Sequence, residues 1–215
     1  MRNVDDKTEI PLAKPVAKIP EGSLAALRRE ARNCHACDLW KHATQTVFGA
    51  GPADARIMLI GEQPGLYEDR EGAPFVGPAG KLLDRALEEA GLDRREVYLT
   101  NTVKHFKYEP RGKLRLHKRA SAAEQAACRM WLAAELVQVK PEVIVALGAM
   151  AAQTLFGATF SVTRERGRWR KLGGSAEGFA TWHPSAVLRA PEERREELYR
   201  QLVQDLGTIR KRGES

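Results

Sequence analysis

The chain has 215 residues, which is enough for one substantial domain and too few for two of ordinary size. Its formal net charge of +7 fits an acidic partner such as nucleic acid, although charge alone selects no function. The sequence contains no run of eighteen apolar residues, and its mixed-charge start has no apolar segment typical of a secretory signal. We therefore expect no membrane partner and a cytoplasmic protein, monomeric by default.

Hydrophobic spacing predicts strands that alternate with helices. Residues 1–22 are expected to form a flexible arm, and residues 23–212 a single domain. Short apolar runs predict strands at 57–60, 97–99, 143–147, 168–172 and 179–182. Helices are predicted at 23–32, 78–90, from the capping box of Ser121 and Glu124 onward, at 149–156 and at 193–209. This alternation predicts an α/β fold with a mostly parallel sheet.

Polar residues follow three of these strands, at the edge where open α/β sheets bind ligands. Glu62 lies between Gly61 and Gly65, and its carboxylate could stabilise a cation or orient water. The Asn101 amide could read the edge of a base, and His183 could donate a hydrogen bond to a leaving group. Each fits an ordinary turn equally well when taken alone. Their shared position predicts an active site.

Two further features could belong to a nucleic-acid site. Phe75 could stack on a base, although a core position is equally compatible with its surroundings. A basic loop is expected over 104–119. It contains seven basic side chains, which could bind phosphates, and one acidic side chain, that of Glu109. These bases are Lys104, Lys107, Arg111, Lys113, Arg115, Lys118 and Arg119. His117 lies among them and could be a phosphate contact, an acid or base, or a nucleophile.

Three cysteines suggest a metal centre. Cys34 and Cys37 form a C-x-x-C pair, and Cys128 falls in the predicted long helix. An odd number of cysteines argues against a disulfide framework. Three thiolates suit either zinc or an iron–sulfur cluster and need a fourth ligand. The candidates for that ligand are His35, His42 and His105.

Taken together, these segments resemble the uracil-DNA glycosylase superfamily, from about Cys34 to the last helix. Residues 61–65 resemble its first motif and residues 183–189 its second, and three segments between them resemble the iron–sulfur type-four branch. Those segments are Glu68-Asp69, 74–80 and 100–104. Within this branch the chain is most similar to the UdgX group, on the basis of Gln63, of His105 in place of a cysteine, and of residues 113–117. Leu114 departs from that group's basic loop, where an arginine is usual.

The resemblance implies a three-layer αβα sandwich around a mostly parallel, four-stranded sheet. It implies a 4Fe-4S cluster held by Cys34, Cys37, His105 and Cys128. The implied substrate is uracil-containing DNA, preferably single-stranded, and the base-to-sugar bond would be cleaved. His117 would then capture the sugar C1′ covalently in a single turnover. The implied site residues are Glu62, His117, His183, Gln63 and Asp69 for catalysis, Phe75, Asn101 and Gly61 for uracil, and Lys104, Lys113, Arg115, Lys118, Ser185 and Arg189 for DNA.

Other functions remain open from the sequence. The nearest is a turnover glycosylase that releases free uracil and leaves an abasic site, with His117 only contacting DNA. A non-catalytic nucleic-acid-binding protein with a structural metal would bind DNA whether or not it contains uracil. An iron–sulfur redox sensor would have no need for Glu62, Asn101 and His183 together at strand ends.

Overall fold

A five-stranded sheet is the centre of the fold. The structure is a computed structural model that describes residues 11–112 and 114–213. The strands of this sheet are β1 (Ile57–Gly61), β2 (Val97–Asn101), β5 (Val143–Leu147), β6 (Arg170–Gly173) and β7 (Ala176–Thr181). Two further strands, β3 (Tyr108–Arg111) and β4 (Leu114–His117), pair with each other in a separate sheet. The sheet order is β2-β1-β5-β7-β6, and only β6 pairs antiparallel. The mostly parallel sheet is confirmed. It has five strands instead of four because β6 adds an antiparallel edge.

The described part of the chain contains eight α-helices. They are α1 (Leu24–Ala31), α2 (Leu66–Glu71), α3 (Pro78–Glu89), α4 (Ala122–Val139), α5 (Ala149–Phe156), α6 (Val162–Glu165), α7 (Pro184–Arg189) and α8 (Glu192–Gly213). Ser121 and Glu124 form the predicted capping box of α4. Three helices, α2, α6 and α7, were not predicted, because they are too short to show a helical period. None of the described helices combines the length and apolarity needed to cross a membrane.

Helices cover both faces of the sheet and give the predicted αβα layers. Side chains alternate along each strand, so Leu59 of β1 faces the cluster formed with α3, α7 and α8. Its neighbours Met58 and Ile60 face the opposite cluster, formed with α4, α5 and α6. All three side chains are fully buried. A strand covered on both faces reads as the continuous apolar run seen in the sequence.

The start of the described chain lies against this domain. The Ala13 N–H donates to the Thr154 carbonyl at 2.9 Å, and Leu12 packs against the cluster under α5. Ile19 packs against a third cluster, formed mainly by α1 and α4. Flexibility of an arm over 1–22, and a single domain over 23–212, stay predictions.

The basic segment, predicted as a loop, forms the hairpin β3–β4. Tyr108 pairs with His117 and Arg111 with Leu114 in an antiparallel register. Gly112 has φ of 58°, a left-handed conformation that glycine adopts without strain and that tight hairpin turns require. The expectation of a loop was wrong because the many charges concealed a short strand pair.

Candidate active site

A cavity of about 340 Å³ opens at the carboxyl ends of β1, β2 and β7. Nine of the residues proposed from the sequence line it: Glu62, Gln63, Phe75, Asn101, Arg115, His117, His183, Ser185 and Arg189. The parallel sheet brings Glu62, Asn101 and His183 to one edge, and the hairpin adds His117 from above. A larger cleft of about 1020 Å³ lies at the opposite edge and contains none of the proposed site residues.

Glu62 is held at the start of α5. Its Oε1 accepts a hydrogen bond from the Met150 backbone N–H at 3.2 Å. The partial positive charge at a helix N-terminus attracts the carboxylate to this position. Gly148 makes this approach possible, because a Cβ at that position would lie 2.7 Å from Glu62 Oε1 and 2.9 Å from the His183 Cβ. Gly148 also has φ of 90°, which a residue with a side chain rarely adopts.

Phe75 and Asn101 line the most buried part of the cavity, and Gly61, which does not line it, lies directly beside both. Phe75 is 5% exposed and Asn101 is 3% exposed. A Cβ at Gly61 would lie 2.3 Å from Asn101 Oδ1 and 2.6 Å from Phe75 Cζ, so only glycine fits beside them. Phe75 has φ of 57°, a conformation that is uncommon for a bulky residue and is often found at functional sites. A flat aromatic face and an amide thus meet in a narrow space.

His183 is a neutral hydrogen-bond donor. The Ser185 backbone N–H donates to its Nδ1 at 3.1 Å, so Nδ1 keeps its lone pair and the ring proton is on Nε2. Burial lowers the pKa of His183 to about 4, an effect that the Glu62 charge only partly opposes. The imidazole is therefore uncharged at neutral pH, with an N–H available to a ligand.

His117 reaches the cavity from the end of β4, at the base of the hairpin. Its ring lies 5.9 Å from that of Phe106, which in turn stacks on Tyr108 at 5.2 Å. Desolvation by these neighbours, followed by the Arg189 charge, lowers the pKa of His117 below its ordinary value. The neutral form carries a lone pair on one ring nitrogen, and a nucleophile or a general base needs such a lone pair.

Gln63 fixes the chain that follows His117. Its Nε2 donates to the Lys118 carbonyl at 2.8 Å, and its Oε1 accepts from the Ala120 N–H at 2.7 Å. Both ends of the amide are thus used for positioning. Gln63 lines the cavity, but its polar atoms hold the backbone beside the imidazole.

Asp69 is fully buried and is not among the cavity-lining residues. Its carboxylate accepts hydrogen bonds from the Thr44 N–H at 2.8 Å and hydroxyl at 2.6 Å, and lies 3.5 Å from Arg115. The Arg115 guanidinium also lies 4.9 Å from the centre of the Tyr108 ring. Asp69 therefore acts on the hairpin through Arg115 and has no direct route to a substrate in the cavity.

The six residues proposed to contact DNA differ in position. Arg115, Ser185 and Arg189 line the cavity, whereas Lys118 is on the surface and pairs with Glu109 at 2.6 Å. The prediction that Lys104 contacts DNA was wrong, because its side chain has no exposed surface and cannot bind a phosphate. Its ammonium instead bonds inside the domain, to Glu135 at 2.6 Å. Lys113 lies outside the described residues.

The three cysteines meet in the cluster between α1 and α4. The Trp131 indole N–H donates to Cys34 Sγ at 3.1 Å, and the Lys104 N–H donates to Cys128 Sγ at 3.2 Å. Burial raises the pKa of Cys128 to about 12, so this thiol would ionise only beside a strong positive partner such as a metal. The donors around the sulfurs fit bound thiolates.

His105 completes a plausible donor set. The Thr46 hydroxyl donates its proton to the Ala31 carbonyl at 2.8 Å, so it accepts from His105 Nε2 at 2.9 Å. Nδ1 then keeps the lone pair that a ligand needs, and the second bond orients the ring. Among residues 11–112 and 114–213, no three His, Cys, Asp or Glu side chains lie close enough to hold one metal ion.

Two parts of the site were not predicted from the sequence. The Met150 N–H could have been anticipated, because α5 starts directly after a strand and helix N-termini commonly hold anions. Tyr67, on the cavity rim, gave no sequence signal. Its position depends on α2, which the periodicity did not reveal.

Comparison with known proteins identifies relatives along most of the chain. The family described as the uracil DNA glycosylase superfamily matches residues 48–207. A type-4 uracil-DNA glycosylase from Thermotoga maritima is 37% identical over 187 residues, which cover 86% of this chain and 92% of that protein. One from Archaeoglobus fulgidus is 39% identical over 181 residues, covering 81% and 87%. A type-5 uracil-DNA glycosylase from Pyrobaculum aerophilum is 27% identical over 208 residues, covering 86% and 88%.

Proposed function

Because this chain belongs to the uracil-DNA glycosylase superfamily, we propose that it cleaves the bond between uracil and deoxyribose in DNA. One observation carries the proposal: Glu62, Asn101 and His183 line a single cavity. The names of the type-4 relatives support the same substrate. A cavity of this size needs the nucleotide to leave the base stack, and a single strand makes this less costly. We therefore expect single-stranded substrates to be preferred.

In the proposed complex, uracil lies against Phe75 and its edge bonds to the Asn101 amide, which has no other hydrogen-bond partner within the described chain. As the C1′–N1 bond breaks, the electron pair leaves with the base. The His183 Nε2–H stabilises the resulting anion on a uracil oxygen. The Glu62 carboxylate stabilises the cationic character that develops on the sugar.

Turnover is the outcome that the relatives favour. Water adds to C1′, its proton passes to solvent or to Glu62, and the products are free uracil and an abasic site. The chain would then act repeatedly, as the names of the type-4 enzymes imply for those proteins. In this case His117 and the hairpin only contact the DNA.

Covalent capture is a second candidate, and the position of His117 in the same cavity as Glu62 favours it. One imidazole nitrogen would form a bond to C1′ as the bond to uracil breaks. The proton on the other nitrogen would pass to Glu62 or solvent. The product would be a stable protein–DNA adduct, formed once per molecule, as the resemblance to the UdgX group implies.

A single experiment separates these outcomes. The protein is incubated with a uracil-containing single-stranded oligonucleotide, and free uracil and denaturation-resistant adduct are quantified together. Many equivalents of uracil without adduct support turnover. One equivalent, with adduct that His117→Ala abolishes, supports capture. Absence of both uracil release and adduct contradicts the proposed function, and full adduct with His117→Ala contradicts this nucleophile.

We also propose that Cys34, Cys37, His105 and Cys128 hold a 4Fe-4S cluster. The buried thiols, the N–H donors to their sulfurs and the orientation of His105 support it. When bound, the cluster would tie α1 and α4 to the segment that follows β2. A structural role accounts for this arrangement, because these residues are not among those that line the cavity.

A further inference from the structure

Tyr67 is an exposed aromatic residue on the rim of the candidate active site. Its side chain is 53% exposed, and it lines the cavity together with Leu188, which is 37% exposed. A single exposed apolar residue is ordinary on a protein surface. Two large ones bordering the same cavity are more informative, because such positions are common in binding sites.

The Tyr67 ring is exposed to solvent and is also held in position by its neighbours. It packs over Gly77, where a Cβ would lie 3.1 Å from Tyr67 Cδ2 and 3.2 Å from Tyr67 Cβ. The Glu68 carboxylate accepts from the Gly65 N–H at 3.0 Å and the Gly77 N–H at 2.8 Å. These bonds fix the start of α2 against the start of α3. A ring held in place in this way loses little freedom when a flat partner stacks on it.

Tyr67 lies outside the part of the cavity that is proposed to bind uracil. Phe75 and Asn101, which would contact uracil, are nearly completely buried, whereas Tyr67 is more than half exposed. The cavity volume of about 340 Å³ is near the lower end of the range of about 300–1,000 Å³ for small-ligand pockets. It suits one flipped nucleotide, so the neighbouring nucleotides must lie on the rim.

The rim also carries the charges that a continuing strand needs. Arg115 and Arg189 line the cavity beside Tyr67 and Leu188. Guanidinium groups bind phosphates, and an aromatic ring stacks on any base because every base has a π-face. We propose that Tyr67 stacks on the base next to the flipped uridine, so that the site holds two consecutive nucleotides. This inference rests on the proposed function.

The test measures binding of the full-length protein to single-stranded oligonucleotides that contain 2′-fluoro-2′-deoxyuridine, whose fluorine opposes the cationic step and so prevents cleavage. The neighbouring base is replaced by a baseless tetrahydrofuran on the 5′ side, the 3′ side or both. Wild-type protein should lose about 5- to 100-fold in affinity when one particular neighbour is removed. Tyr67→Ala should bind weakly whether or not that base is present, and Tyr67→Phe should behave like wild type.

Tyr199→Ala is the matched control, because Tyr199 lies on α8, bonds Glu89 at 2.8 Å and is not among the cavity-lining residues. Tyr199→Ala should lose as much affinity as wild type when the neighbouring base is removed. The proposal would be overturned if removal of either neighbouring base lowered the affinity of wild type and Tyr67→Ala equally. It would also be overturned if removal of neither base lowered the affinity of wild type. The oligonucleotide with both neighbours baseless should be bound equally by wild type and Tyr67→Ala. If Tyr67→Ala binds it more weakly than wild type, then Tyr67 contacts uracil itself, and the proposal is overturned. Failure of the proposed function is distinct: 2′-fluorouridine and 2′-fluorothymidine would then bind equally.

Discussion

Lys104 Nζ lies 2.6 Å from Glu135 Oε2, and neither side chain has any exposed surface. The ammonium also donates to Thr100 Oγ1 at 2.6 Å and to the Asn101 carbonyl at 2.7 Å. Glu135 accepts further hydrogen bonds from the Gly49 N–H and the Tyr98 hydroxyl. This buried pair joins α4 to the end of β2, and thus supports the backbone of the residue proposed to read uracil.

Removing the lysine should leave a buried carboxylate without its counter-charge. We expect Lys104→Met to lower the free energy of unfolding by about 3–5 kcal/mol, the usual cost of breaking a buried ion pair from one side. Urea denaturation measures it. Lys107→Met is the control, because the Lys107–Glu124 pair is partly exposed and should contribute about 1 kcal/mol or less. Equal losses in the two variants would contradict the importance of burial.

Glu62→Gln tests the electrostatic role of the carboxylate. The amide keeps the shape and can still accept from the Met150 N–H, but it has no charge to stabilise a cationic sugar. We expect uracil excision to slow by roughly 100-fold or more in single-turnover assays. Glu142→Gln, at the opposite edge of the sheet and paired with Arg56, should excise at the wild-type rate. An unchanged rate with Glu62→Gln would remove this residue from the mechanism.

Asn101→Ala tests base reading. The amide is a nearly buried polar group of the cavity, so its loss should reduce discrimination in binding assays between uracil and cytosine, whose hydrogen-bonding edges differ. A loss of about 1–3 kcal/mol, the scale for a good amide-to-base contact, corresponds to roughly 5- to 150-fold. Asn101→Asp keeps the shape but removes the N–H donor, and should lose discrimination as well. Unaltered preference for uracil in both variants would place base selection elsewhere.

His105→Ala tests the least conventional of the four proposed ligands. With only three thiolates left, the chain should bind substantially less iron than wild type, measured by elemental analysis of anaerobically purified protein. Its visible absorption should decrease in parallel. His42→Ala is the control, since His42 is exposed and, like His35, is another candidate for the fourth ligand. Full iron content in His105→Ala, with a loss in His42→Ala, would reverse the assignment.

The sequence predicted the features that depend on local pattern. The apolar run before Glu62 identified β1, and the polar residues at strand ends identified the cavity, because parallel strands share one carboxyl edge. Lys104 was misassigned because its partner, Glu135, is 31 residues away on another element, and no local pattern reveals such a pairing. Tyr67 was missed because its exposure is set by the packing of α2 on α3.

The acid sensitivity of folding provides a last test, through His183. Its pKa in the folded chain is about 4, below the ordinary value of about 6.5, so the unfolded chain binds the proton more tightly. The stability that depends on a neutral His183 is therefore complete above about pH 6.5 and is lost as the pH falls towards 4. Over this range, the stability difference between wild type and His183→Gln should change by up to about 1.4 kcal/mol per pH unit. Urea denaturation from pH 7 to 4 measures it, with exposed His42→Gln as the control, and a constant difference would contradict a neutral His183.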